Sequence, residues 1–171
     1  MEEINKKKYI LEFGAWTGIA LVSFAIMLFF LEAHYDNSTS VQMINGLIQL
    51  FGVTIACLSF KKANSNKISW EETRKIGTGV SLIIALIIVI YTYFLINIID
   101  VDYIYKATEI RYYQDLEKNP EYLANVSLND YVEYAKQLAW VTYPFILFIT
   151  IIFGFLYSVI LGLFIKSKNA S

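Results

Sequence analysis

The sequence holds one cysteine, one histidine and two prolines among 171 residues. A single thiol, Cys57, cannot close an intramolecular disulfide, so cysteine usage says nothing about redox compartment. We read Cys57 as a small apolar packing residue inside an apolar run. The single imidazole, His34, has no neighbouring cysteine and no second histidine. That excludes the usual His-rich metal sites and leaves a His-based triad without companions. There is no phosphate-binding glycine loop, no CxxC pair and no internal repeat,. The most consequential absence is of charge. No Asp, Glu, Lys, Arg or His falls within 13–31, 41–60, 80–99 or 143–165. Proton relays and ion pathways are built from buried ionisable groups, so a proton-coupled transporter is disfavoured.

What fills those four stretches is apolar. Each has about the 20 residues that a helix rising about 1.5 Å per residue needs to cross about 30 Å of hydrocarbon. The 57% hydrophobic content and mean hydropathy of +0.50 fit that reading, since soluble domains sit near 45–50%, roughly. The expected fold class is therefore all-α: an integral membrane four-helix bundle forming a single domain over 1–171. The first run follows Lys6–Lys8 but is too long for a signal-peptide core and lacks a small-x-small cleavage pattern, so it reads as a retained anchor. The second run carries Gln42, Asn45 and Gln49 and is the weakest span. A re-entrant alternative would leave Lys61, Lys62, Lys67, Arg74 and Lys75 on the outer side.

Charge asymmetry sets the orientation. With four crossings, the chain ends and the 61–79 connection share one side. That side holds ten of the 14 basic residues: Lys6, Lys7, Lys8, Lys61, Lys62, Lys67, Arg74, Lys75, Lys166 and Lys168. The positive-inside rule then predicts cytoplasmic termini in a bacterial inner membrane. In the inner connection, Ser69 precedes Glu72 by three residues, the spacing of a capping box that starts a helix, with Trp70 at headgroup level. Outside, the 101–140 insert reads as a helical hairpin between the third and fourth spans. One helix covers about Tyr103 to Lys118 and stops at Asn119-Pro120. A second starts at Ser127 with a stripe of Leu128, Tyr131, Ala135 and Leu138. Seven tyrosines (Tyr103, Tyr105, Tyr112, Tyr113, Tyr122, Tyr131 and Tyr134) suit an interfacial hairpin; a cap that binds a partner is the alternative. Asp100 and Asp102 form a carboxylate pair at the membrane edge, read as a solvated helix boundary.

Small residues four apart mark packing faces. Gly77, Ser81 and Ala85 open the third span, and Gly154, Ser158 and Gly162 close the fourth. Both sets fall at one depth, so they can meet as an antiparallel pair. Large side chains crowd the other half, among them Phe24, Phe29, Tyr91, Phe94 and Phe145, which predicts a bundle tight inside and splayed outside. Asn45 and Gln49 form a candidate polar patch with Thr92 and Asn97, because an unpaired amide in hydrocarbon is costly.

These residues resemble a bacterial family of four-span membrane proteins catalogued as domain of unknown function 4199. The resemblance rests on Ile68-Ser69-Trp70, Lys75-Ile76-Gly77, Tyr93, Asn97 and Ile99-Asp100, then Pro144, Gly154, Gly162 and Lys166. The chain lacks the proline often found just after the third span. The resemblance implies an inner-membrane location and four helices, and it assigns no functional residues. The expected function is non-catalytic: an accessory or scaffolding membrane protein acting through helix packing and its hairpin. The alternative is lipid or small-solute binding or transport through the outer-half polar patch. No catalytic residue, cofactor or metal is expected. Expected partners are membrane lipids and a membrane protein or second copy, with no nucleic acid.

Overall fold

A computed structural model describes residues 5–35, 38–118, 120–121, 123 and 125–167. The expectations placed on Asn119, Tyr122 and Lys168 lie outside these residues. The described residues form six α-helices and no strands. Four are long and apolar enough to cross a membrane: α1 (Lys6–Phe30), α2 (Thr39–Ala63), α3 (Trp70–Phe94, extended to Ile99 by a π-turn) and α6 (Thr142–Ile165, preceded by a 3-10 turn from Ala139). Between the last two, α4 (Tyr103–Lys118) and α5 (Leu128–Gln137) form a hairpin. The protein is thus a multi-pass helical bundle with a termini end and a hairpin end.

Capping chemistry fixes where the helices begin. Asn5 accepts from Lys7 N, so α1 starts a full two turns before its apolar run,. At α3 both halves of the capping box form: Glu72 N donates to Ser69 Oγ at 3.1 Å, and Ser69 N donates to Glu72 Oε2 at 2.9 Å,. Lys61 Nζ donates to the Ile165 carbonyl at 2.8 Å, placing a cation on the exposed C-terminus of α6,. Pro144 lies in the first turn of α6, where the missing N–H costs no helical bond,.

The enclosed core sits at the termini end: Val53, Ala56, Cys57, Phe60, Ile76, Val80 and Ile84. Close helix approach explains why. A Cβ at Gly77 would strike Ser158, and one at Gly154 would strike Ser81. Gly162 lies under Trp70, whose Nε1 donates to the Val159 carbonyl at 3.1 Å. Ala85 is fully buried on the same α3 helix. α3 also serves α1: a Cβ at Gly14 would meet Ile83 Cβ at 2.6 Å, and one at Gly18 would meet Ile87 Cδ1 at 2.6 Å. Glycine here lets two backbones approach, the principal device for helix association where lipid removes the hydrophobic drive. Meanwhile Trp16, Phe51, Phe148 and Phe164 point outward and are exposed, as expected of faces that meet acyl chains.

The π-turn at the end of α3 is closed by Asp100 N donating to Leu95 O at 2.8 Å. Such a turn widens the helix by one residue and re-aims the side chains that follow it. Asn97 within the turn and Asp100 just after it both bear on the site.

Candidate functional site

Gln49 sits where the tight seam ends. It is buried on α2, and its Nε2 donates to Ser81 Oγ on α3 at 3.1 Å and to the Thr150 carbonyl on α6 at 2.9 Å. One amide thus ties three helices together. Nearby, Thr54 Oγ1 and Tyr157 Oη share a hydrogen bond at 2.6 Å, again between α2 and α6. Towards the hairpin end α2 and α6 part, and a cavity of about 1380 Å³ opens between α1, α2, α3 and α6 with α4 above it.

The cavity is two-natured. Leu21, Val22, Leu28, Ile88, Leu95 and Ile146 give apolar walls, whereas Gln49, Asn45, Thr92 and Thr150 put polar atoms among them. Three of the four residues expected in a polar patch, Asn45, Gln49 and Thr92, therefore line one space, without a hydrogen bond between them. Asn97 does not join. Its Nδ2 donates to Tyr93 O at 2.8 Å and to Tyr143 Oη at 3.1 Å, and the side chain is exposed. The π-turn carries it off the cavity face, and its own helix supplies the acceptor.

The hairpin end holds a cluster that sequence reasoning missed. Asp100, nine-tenths buried, accepts from Tyr35 Oη, from His34 Nε2 at 3.2 Å and from Lys106 Nζ at 3.4 Å. Burial alone would raise the Asp100 carboxyl, but the hydrogen bonds of Tyr35, His34 and Lys106 outweigh it and hold the group below its ordinary value,. The same contacts raise Lys106, with the Tyr35 bond foremost, while burial and then Asp100 raise the Tyr35 phenol. His34 is sandwiched among Phe29, Tyr35 and Tyr103, at ring-centroid distances of 4.8, 3.9 and 6.0 Å. With Asp100 as acceptor, His34 Nε2 carries the proton, and its buried Nδ1 has no hydrogen-bond partner among the described residues,. The cluster ties the α1–α2 loop to the α3–α4 corner. Asp102, by contrast, is exposed and takes no part.

The hairpin is pinned to itself by tyrosine. Tyr131 Oη donates to Asp115 Oδ2 at 3.0 Å, Tyr112 Oη donates to the Val126 carbonyl at 2.9 Å, and the two rings meet edge-on at 5.5 Å. Leu123 and Val132 are buried beneath them. Of the expected α5 stripe, Ala135 and Leu138 line the cavity. No group of three or more His, Cys, Asp or Glu side chains placed to hold a metal occurs among the described residues.

No curated protein and no solved structure matches the chain. A family model does, over residues 12–167, which takes in α1 from Glu12 onward, the other three long helices, the hairpin and every residue of the cavity. The chain therefore belongs to the family described as "Protein of unknown function (DUF4199)".

Proposed function

We propose that this is a non-catalytic inner-membrane protein that binds an amphipathic, lipid-class small molecule in the cavity beneath α4, with both termini in the cytoplasm. The carrying observation is the cavity itself. It is a half-open cleft of about 1380 Å³, room enough for a ligand of the size held by pockets of roughly 300–1,000 Å³,. It combines hydrocarbon walls with polar groups at its base and roof, as an amphiphile requires. The proposed orientation rests on the ten basic residues assigned to the termini end,.

Native mass spectrometry of protein released gently from membranes tests this. A lipid-class adduct should accompany the wild type and be lost when Ala25→Phe fills the cavity wall, with helicity unchanged by circular dichroism. Equal adducts on both proteins, or none on either, would refute cavity binding. A second reading, an accessory protein acting on a membrane partner or a second copy, is favoured by the exposed hairpin aromatics Tyr105, Tyr113 and Tyr134,. Crosslinking from those positions to a reproducible partner, together with an empty cavity, would select it.

A further inference from the structure

We propose that the ligand brings an uncharged hydroxyl to the floor of the cavity, where it donates to Gln49 Oε1 and accepts from Thr150 Oγ1. This inference rests on the amphiphile reading above and adds the chemistry of the polar group. It begins with an unmet acceptor. Gln49 is more than nine-tenths buried, and both of its hydrogen bonds leave through Nε2. Its Oε1 accepts none among the described residues. There, the one unpartnered side-chain nitrogen or oxygen that is fully enclosed is His34 Nδ1. Gln49 Oε1 is therefore reached from open space, and the space that Gln49 lines is the cavity.

The threonines point to the same place. Elsewhere in α1, α2 and α3 the hydroxyl bonds the carbonyl four residues back in its own helix, the ordinary solution for a buried threonine. Thr17 does so at 2.7 Å, Thr54 and Thr78 at 2.8 Å, and Thr73 at 3.0 Å. Thr150 is buried and lines the cavity, yet its hydroxyl makes no bond among the described residues. Its carbonyl takes Gln49 Nε2, so the unmet acceptor on α2 and the unmet hydroxyl on α6 share one level. Asn45, one turn from Gln49 on α2, lines the same space with its amide equally unmet.

These groups select a chemistry. Every ionisable residue of the lining comes from the α1–α2 loop or the hairpin: His34, Arg111, Asp115, Glu117 and Lys118. The spans contribute none, so a carboxylate or ammonium at the level of Gln49 would be a charge in hydrocarbon without a counter-ion. An ester, ether or quinone oxygen only accepts, and would leave Oε1 bare. A hydroxyl donates and accepts from one atom, which an acceptor and a donor on facing helices require. The ligand class is thus a neutral lipid alcohol.

Full-length protein in phosphatidylcholine nanodiscs, whose lipid bears no hydroxyl, is titrated with three radiolabelled probes of one chain length. The probes are cetyl alcohol, cetyl methyl ether and, at mildly alkaline pH, palmitate; protein-free discs give the background. Cetyl alcohol should bind about fivefold or more tightly than the ether, the worth of one added hydrogen bond, and more tightly than palmitate. Gln49→Leu should erase the preference for alcohol over ether. Thr150→Val keeps the carbonyl that holds Gln49, so it carries the test even if Gln49→Leu does not fold. It should weaken alcohol and ether alike by about fivefold. Equal binding of alcohol and ether, a preference that survives Gln49→Leu, tighter binding of palmitate, or alcohol binding indifferent to Thr150→Val overturns the hydroxyl assignment and leaves the cavity reading standing. Binding of no probe above background overturns both.

Discussion

Gly77→Ala is the sharpest perturbation of the bundle, because the added atom has nowhere to go. A Cβ there would overlap Ser158 Cβ and lie 3.0 Å from Ser158 Oγ and 3.1 Å from Val53 Cγ1. Ser158 Cβ is fixed to its backbone, so relief requires α3 and α6 to separate rather than a side chain to turn. Overpacking of this kind costs about 1–3 kcal/mol, and a rigid neighbour places it in the upper part of that range. Replacing a mid-helix glycine returns about 0.5–1 kcal/mol of helix propensity. The net expectation is a loss of about 1–2 kcal/mol, read from unfolding driven by increasing SDS in mild-detergent micelles. Two companions make the experiment decisive. Ser158→Gly in the same molecule moves the methylene from one helix to the other and should restore most of the loss. Gly46→Ala introduces the same atom on α2, where it meets only Phe153 Cζ at 3.8 Å, and should be neutral or stabilising by up to about 1 kcal/mol,. If Gly77→Ala is no worse than Gly46→Ala, or Ser158→Gly gives no rescue, close approach at that seam is refuted.

Three further outcomes follow from the same geometry. Gln49→Leu keeps volume but removes both interhelical bonds, and should cost about 0.6–1.7 kcal/mol by SDS unfolding; an unchanged midpoint would show that the bonds carry nothing. Asp100→Asn should destabilise by about 1.5–3 kcal/mol, because three donors lose an ionised acceptor. Since the folded Asp100 carboxyl lies below its ordinary 3.8, the wild type keeps this contribution above that value and loses it as pH falls through the lower folded one,. The gap between wild type and Asp100→Asn should therefore be constant near neutrality and close below about pH 4; a gap that persists in acid contradicts the ion-pair account. Finally, tags at Met1 and Ser171 should resist a protease added outside intact cells, and cleavage of both would reverse the proposed orientation.

Long helices were legible in the sequence because hydrocarbon imposes so strict a rule: runs without charge of about the right length have few alternatives. Capping made α3 legible too, since Ser69 and Glu72 announce its start independently of hydropathy. The extra turns of α1 were not, because Lys6, Lys7 and Lys8 are polar and only the Asn5 cap marks them as helical. Small-residue spacing carried information about which faces approach, since glycine leaves no other use for a helix surface. Polar contacts were harder. That Gln49 needs partners follows from its amide, but whether those are Thr92 and Asn97 or Ser81 and Thr150 depends on how helices rotate about their axes, which no spacing within one helix encodes. Asn97 was misplaced for a related reason: a π-turn shifts the face by one residue and leaves no plain sequence mark. The Asp100 cluster joins residues 66 apart through two loops, so His34 read in isolation had no visible companion.

Those two features together account for a cavity that does not collapse. Inside a bilayer, closing a gap gains little hydrophobic energy, because lipid tails are as apolar as the walls they would leave. What keeps helices together must then be close packing or hydrogen bonds, and both are concentrated away from the cavity. At the termini end glycines and serines draw α3 against α6 and α1, and Gln49 closes the seam at its upper limit. At the hairpin end the Asp100 cluster fixes the α1–α2 loop to the base of α4. Between them lie Leu28, Tyr91, Ile96 and Ile146, side chains too large for the close approach seen below. A bundle clamped at two levels and bulky between them leaves a cleft, open on one side, whose width is set by its ends. It also follows that the two clamps have separable roles: weakening the glycine seam should loosen the whole bundle, whereas weakening the Asp100 cluster should free α4 first and change access to the cavity before it changes the fold.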